Sequence, residues 1–346
     1  MLPVESVERG EARVASKRRI KGAFIGAGSL ANRYHYPSVA SFADVELAAV
    51  CDLIADKAQQ TAQRFGVPRV YTNYRQMLEE VDPEAVWVIM PPQHLYEPVT
   101  TILRQGRHVF IEKPPALTTV QARMLAYFAE QHRCLTMVGF QRRHIPAMTA
   151  LRARVEARGP IHHAAVSFLK STRRLDTHAG FYDGAIDPLT SDGIHAVDNV
   201  RWLCGGEVVD VHATVRQRYV PGPVPNEFVA LITFSSGAVG VLQSSYLTGR
   251  RIFCAEFHGK NVTAYVDADR ESWIVFDDGQ PEVQPSTAWG TAGGAKGDSP
   301  EHWLGFWHEN RHFVDCIQDG RPPTSHFGDA VKTMELVDRI YRAGDA

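Results

Sequence analysis

A doubly wound parallel α/β sheet, followed by an α+β domain built on a large, mostly antiparallel open sheet, is the fold this sequence predicts. Between Lys21 and Gly139, short apolar runs alternate with helix-like stretches, the pattern of strands buried on both faces with crossover helices between them. Beyond about residue 145, strand-like runs follow one another through short glycine-containing loops, without a helix between every pair. The length of 346 residues suits two domains at about 150 residues each.

Taken in order, residues 1–19 have no clear period and read as a loose tail. Lys17-Arg18-Arg19 is a basic edge to the first strand rather than an export signal, because Lys21 breaks the apolar run that follows. Ala23-Phe24-Ile25 is a strand leading into a Gly-rich turn, and Leu47 to Cys51 is a second strand ending at Asp52. Asp56 to Phe65 is helical and stops at Gly66 as a C′ glycine. Ala85 to Ile89 is a third strand, closed by Pro91-Pro92, and Tyr96 to Gln105 a helix ending at Gly106. His108 to Ile111 and Leu135 to Gly139 supply a fourth and a fifth strand. These elements make residues 20–143 one domain.

Residues 144–346 make the second. Ile161 to Phe168 and Val208 to Gln217 read as strands, with a helix from about Ser191 to Cys204 inserted between them. Phe228 to Phe234 and Ala238 to Ser245 form a hairpin across Ser235-Ser236-Gly237, and Ile252 to His258 pairs likewise with Val262 to Val266. Ile274-Val275-Phe276 hints at a further strand, and residues 283–300 read as a long loop. Asp329 to Arg342, with Val331, Met334, Val337 and Tyr341 at helical spacing, is a closing amphipathic helix that can return to the first domain.

Composition narrows the function. Lys+Arg total 37 against Asp+Glu 39, so neither nucleic acid nor an anionic membrane surface is an expected partner. No run approaches the roughly 18 apolar residues of a spanning helix. The five cysteines are scattered without a C-x-x-C pair, as expected of small buried residues in a reducing, cytoplasmic setting, and no metal site is expected.

Gly26-Ala27-Gly28-Ser29-Leu30-Ala31 is G-x-G-x-x-A placed after a strand and opening a helix. Its first glycine permits the tight turn, its second lets backbone approach a pyrophosphate, and the helix N-terminus faces the anion. Asp52 ends the next strand, where a carboxylate accepts hydrogen bonds from both ribose hydroxyls and repels a 2′-phosphate, which favours NAD over NADP. Glu112-Lys113-Pro114-Pro115 follows the fourth strand at the sheet edge that faces the cofactor crevice, where a lysine can exchange a proton. On the later helix, Ser191, His195, Asp198 and Trp202 fall on one stripe opposite Ile194, Val197, Val200 and Cys204. A lone helical histidine is most often a surface residue, and Asp192 reads equally as a first-turn acid complementing the helix dipole.

Together with Gly139-Phe140-Gln141-Arg142-Arg143, His308-Glu309-Asn310-Arg311-His312-Phe313 and Gly320-Arg321-Pro322-Pro323, these motifs stand in an order that resembles the glucose–fructose oxidoreductase/inositol dehydrogenase (Gfo/Idh/MocA) family over about residues 20–343. The resemblance implies a Rossmann domain and a second domain whose open sheet often forms an oligomer interface, here a homodimer or homotetramer. It further implies Lys113 and His195 as the catalytic pair, handling the proton while nicotinamide takes the hydride. The cofactor-side candidates are Gly26, Gly28, Ser29, Leu30, Asp52, Met90, Pro91, Glu112, Lys113 and Gln141. The substrate-side candidates are Arg142, Arg174, Tyr182, Ser191, Asp192 and His195, the second and third lying in the polar segment Lys170 to Asp187.

Two departures stand out. The family's acid four residues before the histidine is Ser191 here, with Asp192 displaced by one position, about 60° around an α-helix and needing local unwinding to substitute for it. The family's Thr-Pro-Asn is Met90-Pro91-Pro92, and its following His is Leu95. The expected activity is NAD-dependent hydride transfer to or from a sugar, cyclitol or related polyol. A redox-neutral reaction on tightly bound NAD (elimination, hydrolysis or epimerisation) and a non-catalytic NAD sensor are the alternatives.

Overall fold

The structure is a computed structural model that describes residues 18–171, 185–219, 224–288 and 299–344. Two sheets organise the chain. The first is wholly parallel and holds six strands, β1 (Ile20–Ile25), β2 (Val45–Cys51), β3 (Arg69–Tyr71), β4 (Ala85–Val88), β5 (His108–Glu112) and β6 (Thr136–Gly139), in the order β3-β2-β1-β4-β5-β6. The order reverses between β1 and β4, and at such a switch point the carboxyl ends of the strands open a crevice. Five of these strands follow apolar runs in the sequence. The sixth, β3, is a three-residue edge strand with no fully buried residue, so no apolar run announces it. The helices Tyr74–Val81 and Thr119–Gln131 also escape the sequence reading, although each carries an N-cap: Asn73 accepts from the Arg75 N–H at 2.9 Å and Thr118 from the Gln121 N–H at 3.2 Å.

The second sheet holds β7 (His163–Leu169), β8 (Val208–Arg216), β9 (Glu227–Phe234), β10 (Val239–Ser245), β11 (Ile252–Gly259), β12 (Val262–Asp267), β13 (Glu271–Phe276) and β14 (Glu282–Pro285), in the order β14-β13-β12-β11-β7-β10-β9-β8. Every pairing is antiparallel except that of β7 with β10. Burial alternates along these strands, so one face is core and the other is open. The stretch 283–300 is not all loop. It opens inside β14 and closes in the short helix Pro300–Trp303, and residues 289–298 lie outside the described residues.

The Ile194–Cys204 helix corrects the striped reading. Ten of its eleven residues are buried, including His195 and Asp198, because it is sandwiched between the second sheet and the closing helix Phe327–Gly344. That closing helix also lies against Thr119–Gln131 of the first sheet's layer. The helix Phe306–Asp319, unforeseen in the sequence, seats Phe313 between Trp87 and Phe110 under the first sheet. All five cysteines are free, and among the described residues no helix is long and apolar enough to cross a membrane.

Candidate active site

The Gly26 turn is shaped by its backbone. Gly26 has φ +110°, and a Cβ there would lie 2.0 Å from the Ile89 carbonyl oxygen, so no side chain fits. Gly28 is the converse: a Cβ built on it meets nothing within 4 Å, leaving its backbone open to an approaching phosphate at a helix start. Ser29 and Leu30 form that first turn, and the helix then widens into a π-helical turn at Ala31–His35. Asp52 braces the turn, with Oδ2 accepting from the Ala27 N–H at 2.8 Å and Oδ1 from the Ile54 N–H at 2.9 Å. A carboxylate offers about four acceptor sites, so two remain for hydroxyl donors. The residues present therefore fit a dinucleotide. Met90 and Pro91 close the crevice after β4, while Leu95, standing where the family has His, is buried in the core.

Glu112 is the last residue of β5 and Lys113 leaves the strand into the crevice. A chain of hydrogen bonds fixes this corner from behind, and its direction follows from its first member. The Trp87 indole can only donate, and it donates to Asn310 Oδ1 at 2.8 Å. Asn310 Nδ2 therefore faces His35 Nδ1 at 3.1 Å, so Nδ1 accepts and the ring proton sits on Nε2. Nε2 donates to Glu112 Oε1 at 2.9 Å, and Glu112 Oε2 accepts from the Lys113 backbone N–H at 3.1 Å. Glu309 lies alongside, fully buried, and among the described residues neither of its carboxyl oxygens has a hydrogen-bond partner. Burial and the neighbouring charge of Glu112 push its acid well above the usual carboxylate range. His35, Glu112 and Glu309 bring ligand-type atoms within 4.8 Å of one another. In this arrangement the Nε2 proton points at Glu112, so that nitrogen has no lone pair for a cation.

In front, Lys113 Nζ donates to Asp192 Oδ1 at 3.0 Å and to the Ser191 carbonyl oxygen at 3.1 Å. Asp192 reaches Lys113 because Leu189–Gly193 forms a π-helical turn before the α-helix begins, and this wider turn is the local unwinding that an α-helix would have required. Ser191 contributes its backbone rather than a replacement for the family acid. Asp192 also pairs with Lys170, the first residue of the segment that contains Arg174 and Tyr182, both of which lie outside the described residues. Burial alone would raise Asp192, but the ammonium groups of Lys113 and Lys170 outweigh it and hold the acid well below the usual range.

His195 is 4% exposed, which overturns the surface reading. Burial, reinforced by Lys113 and Arg142, holds the imidazole well below its ordinary range, and Asp192 opposes this only in part, so the ring is neutral near pH 7. Its Nδ1 is buried without a hydrogen-bond partner among the described residues. Gln141 and Arg142 follow β6 in a short 3-10 turn, both buried. Arg143 is turned away from this cluster and binds Asp198, with Nε to Oδ2 at 2.7 Å, and Asp329 at 2.7 Å; Asp198 is thereby a structural partner, joined to the closing helix through Thr333 at 3.0 Å.

The structure thus brings Glu112, Lys113, Asp192, His195 and the Ser191 carbonyl to one corner of the crevice. Sequence reasoning missed His35, Asn310 and the pairing of Lys170 with Asp192. His35 lies one turn beyond the glycine motif and Asn310 in a motif noted only as part of a resemblance, and neither carries a local signal of its contact.

Comparison with known proteins agrees with this architecture. Residues 20–140 match the family described as "Oxidoreductase family, NAD-binding Rossmann fold", and residues 153–265 match the "GFO/IDH/MocA C-terminal domain". The chain belongs to the Gfo/Idh/MocA family of NAD-binding oxidoreductases. A D-apiose dehydrogenase of Paraburkholderia graminis is 28% identical over 360 aligned positions, covering 99% of this chain and 92% of the relative. A D-glucoside 3-dehydrogenase of Escherichia coli strain K12 is 31% identical over 193 residues, and in that match the chain spans about half (54%) of the relative's length. Among solved structures, GenD2 from gentamicin A biosynthesis, in complex with NAD, superposes with a TM-score of 0.76 at 27% identity, covering 99% of this chain and 97% of that one. Levoglucosan dehydrogenase in complex with NADH shares the fold, with a TM-score of 0.82 at 20% identity over 95% of this chain and 97% of that one.

Proposed function

We propose that the protein transfers a hydride between a hydroxyl-bearing carbon of a sugar, cyclitol or related polyol, or its keto form, and NAD. The observation that carries this reading is the placement of Lys113 Nζ at the carboxyl edge of the first sheet, 3.0 Å from Asp192 and beside buried His195. Bound NAD would supply the hydride acceptor, held by the Gly26–Leu30 turn, Asp52, the Met90-Pro91 segment, Glu112 and Gln141. Asp52, with no cation from Leu53-Ile54-Ala55 beside it, favours NAD over NADP.

On the protein side, Lys113 in its neutral amine form takes the proton of the reacting hydroxyl in oxidation, and as the ammonium returns it in reduction. Asp192 and the Ser191 carbonyl fix that nitrogen in space. His195, uncharged and with an orphaned Nδ1, is the second group able to hold the hydroxyl. The Asp192–Lys113 contact supplies the acid that the Ser191 departure had called into question, which removes the departure that motivated the redox-neutral alternative. The open face of the second sheet, with Val229 and Leu231 of β9 exposed, supports association into a dimer or tetramer through that sheet, which light scattering would test. The function is tested by following absorbance at the NADH band while the protein meets a panel of sugars and cyclitols with NAD or NADP. Growth with NAD, abolished in Lys113→Ala, is expected. A flat trace with NAD released on denaturation would transfer support to the redox-neutral reading.

A further inference from the structure

Arg142 is 2% exposed, yet among the described residues its guanidinium has no hydrogen bond and no ion pair, and its Nε is an orphaned buried donor. Its face rests on Phe253, 4.5 Å from the ring centroid. Stacking of this kind satisfies the face of a guanidinium and leaves its N–H edge without acceptors. A buried cation left in that state is costly unless something else completes it.

The surroundings place the missing acceptor beside the reacting groups. Phe253 of β11 and Phe168 of β7 are register partners with ring centroids 6.3 Å apart. They form one aromatic floor, and His195 lies 5.9 Å and Lys170 Nζ 5.2 Å from the Phe168 ring. Arg142, Lys170 and His195 therefore share that floor, with Lys113 joined to it through Asp192. Asp192 is engaged by both lysines and makes no direct contact with Arg142, which feels its charge only from a distance. Among the described residues no carboxylate touches the guanidinium; burial, with Arg251 nearby, pushes it down to about 9, opposed only in part by the more distant charges of Asp269 and Asp192.

We propose that the substrate is a sugar acid whose carboxylate is received by Arg142. A carboxylate offers two coplanar oxygens to the guanidinium edge, the bidentate match for which arginine is suited. The floor shared with His195 puts that carboxylate on the sugar ring itself, close to the carbon that reacts, rather than on a distant substituent. This rests on the hydride-transfer reading and names its substrate class.

The test compares D-glucuronate, its methyl ester and glucose 6-phosphate on the wild-type protein with NAD, reading both NADH formation and binding to the protein–NADH complex. At least a tenfold preference for the acid over the ester is expected, falling toward parity in Arg142→Gln and retained in part by Arg142→Lys. Equal handling of acid and ester by the wild type overturns the proposal and leaves the redox reading standing. Acid binding that depends on Arg142, with no NADH formed from any compound, sinks the redox reading and keeps the carboxylate site. Preference for the phosphate over the acid overturns the carboxylate assignment. Loss of NADH affinity in Arg142→Gln, with that of Arg142→Lys intact, puts Arg142 on the cofactor and overturns it as well. Should Arg142→Gln fail to fold, the acid-to-ester ratio of the wild type and of Arg142→Lys decides.

Discussion

Two helix starts face each other across Lys113, and both contain a π-helical turn: Ala31–His35, beyond the Gly26 turn, and Leu189–Gly193, just before His195. The first is shaped from within. Gly26 must be glycine because its φ is positive and Ile89 crowds it, and these are local demands that a sequence displays. The second is shaped from outside. Its acid lies one position from where an α-helix would need it, and what brings Asp192 into place is a pair of lysines 79 and 22 residues away. Such π-turns recur where a helix must present a side chain out of its regular period, often at functional sites.

The strongest break in this comparison comes at the point the two starts share. Lys113→Ala should lower kcat by about 10²–10⁴-fold, the usual contribution of a positioned acid–base group, while NADH still binds. Undiminished turnover in that variant would sink the assignment of Lys113, and lost NADH binding would make it a cofactor residue instead.

The two starts can then be broken separately. Gly26→Ala should cost at least about 3 kcal/mol, combining strain at positive φ with overpacking against Ile89, read as a lowered Tm together with lost NAD binding. Gly28→Ala, with open space above it, should leave the Tm unchanged and weaken only the nucleotide. A matching loss of Tm in both variants would mean that the turn is not shaped as described.

At the second start, Asp192→Asn should cost about 10²-fold in kcat, because it leaves two ammonium groups facing each other and frees Lys113 to move. Ser191→Ala should change kcat by less than about threefold, since the Ser191 carbonyl survives the substitution. The reverse order, with Ser191 the sensitive position, would restore the family arrangement that the sequence departs from.

This contrast also explains what was legible. Apolar runs gave five of the six parallel strands, glycine-linked runs gave both hairpins of the second sheet, and Gly66 stops its helix in the left-handed conformation at φ 67°. Buried parallel strands and αL caps are local requirements, so local sequence carries them. The edge strand β3 lacks the apolar run because an edge is only half covered. The buried state of His195 and Asp198 was illegible for a different reason. An amphipathic stripe shows which face of a helix is polar, but not that Arg143, Thr333 and Asp329 arrive from distant segments to satisfy it. Likewise, nothing within ten residues of His35 announces Asn310 or Glu112 as its neighbours.

A pH-dependent effect lies behind Lys113, where Glu309 is buried, has no hydrogen-bond partner among the described residues and is kept protonated by its surroundings. Its acid is raised in the folded protein, whereas in the unfolded chain it ionises above about pH 4.3. The native state therefore binds a proton that the unfolded state has released, and stability falls as pH rises from that value toward the folded pKa, by up to about 1.4 kcal/mol per pH unit. Glu309→Gln keeps the shape and removes the titration. Its stability advantage over the wild type should be near zero at pH 4, grow with pH, and level off only once the native carboxyl itself ionises. Denaturant unfolding of both proteins from pH 4 to 9 reads this directly. Parallel curves across that range would mean that Glu309 is already charged in the fold, and the corner behind Lys113 would then hold two carboxylates rather than a carboxylate and an acid.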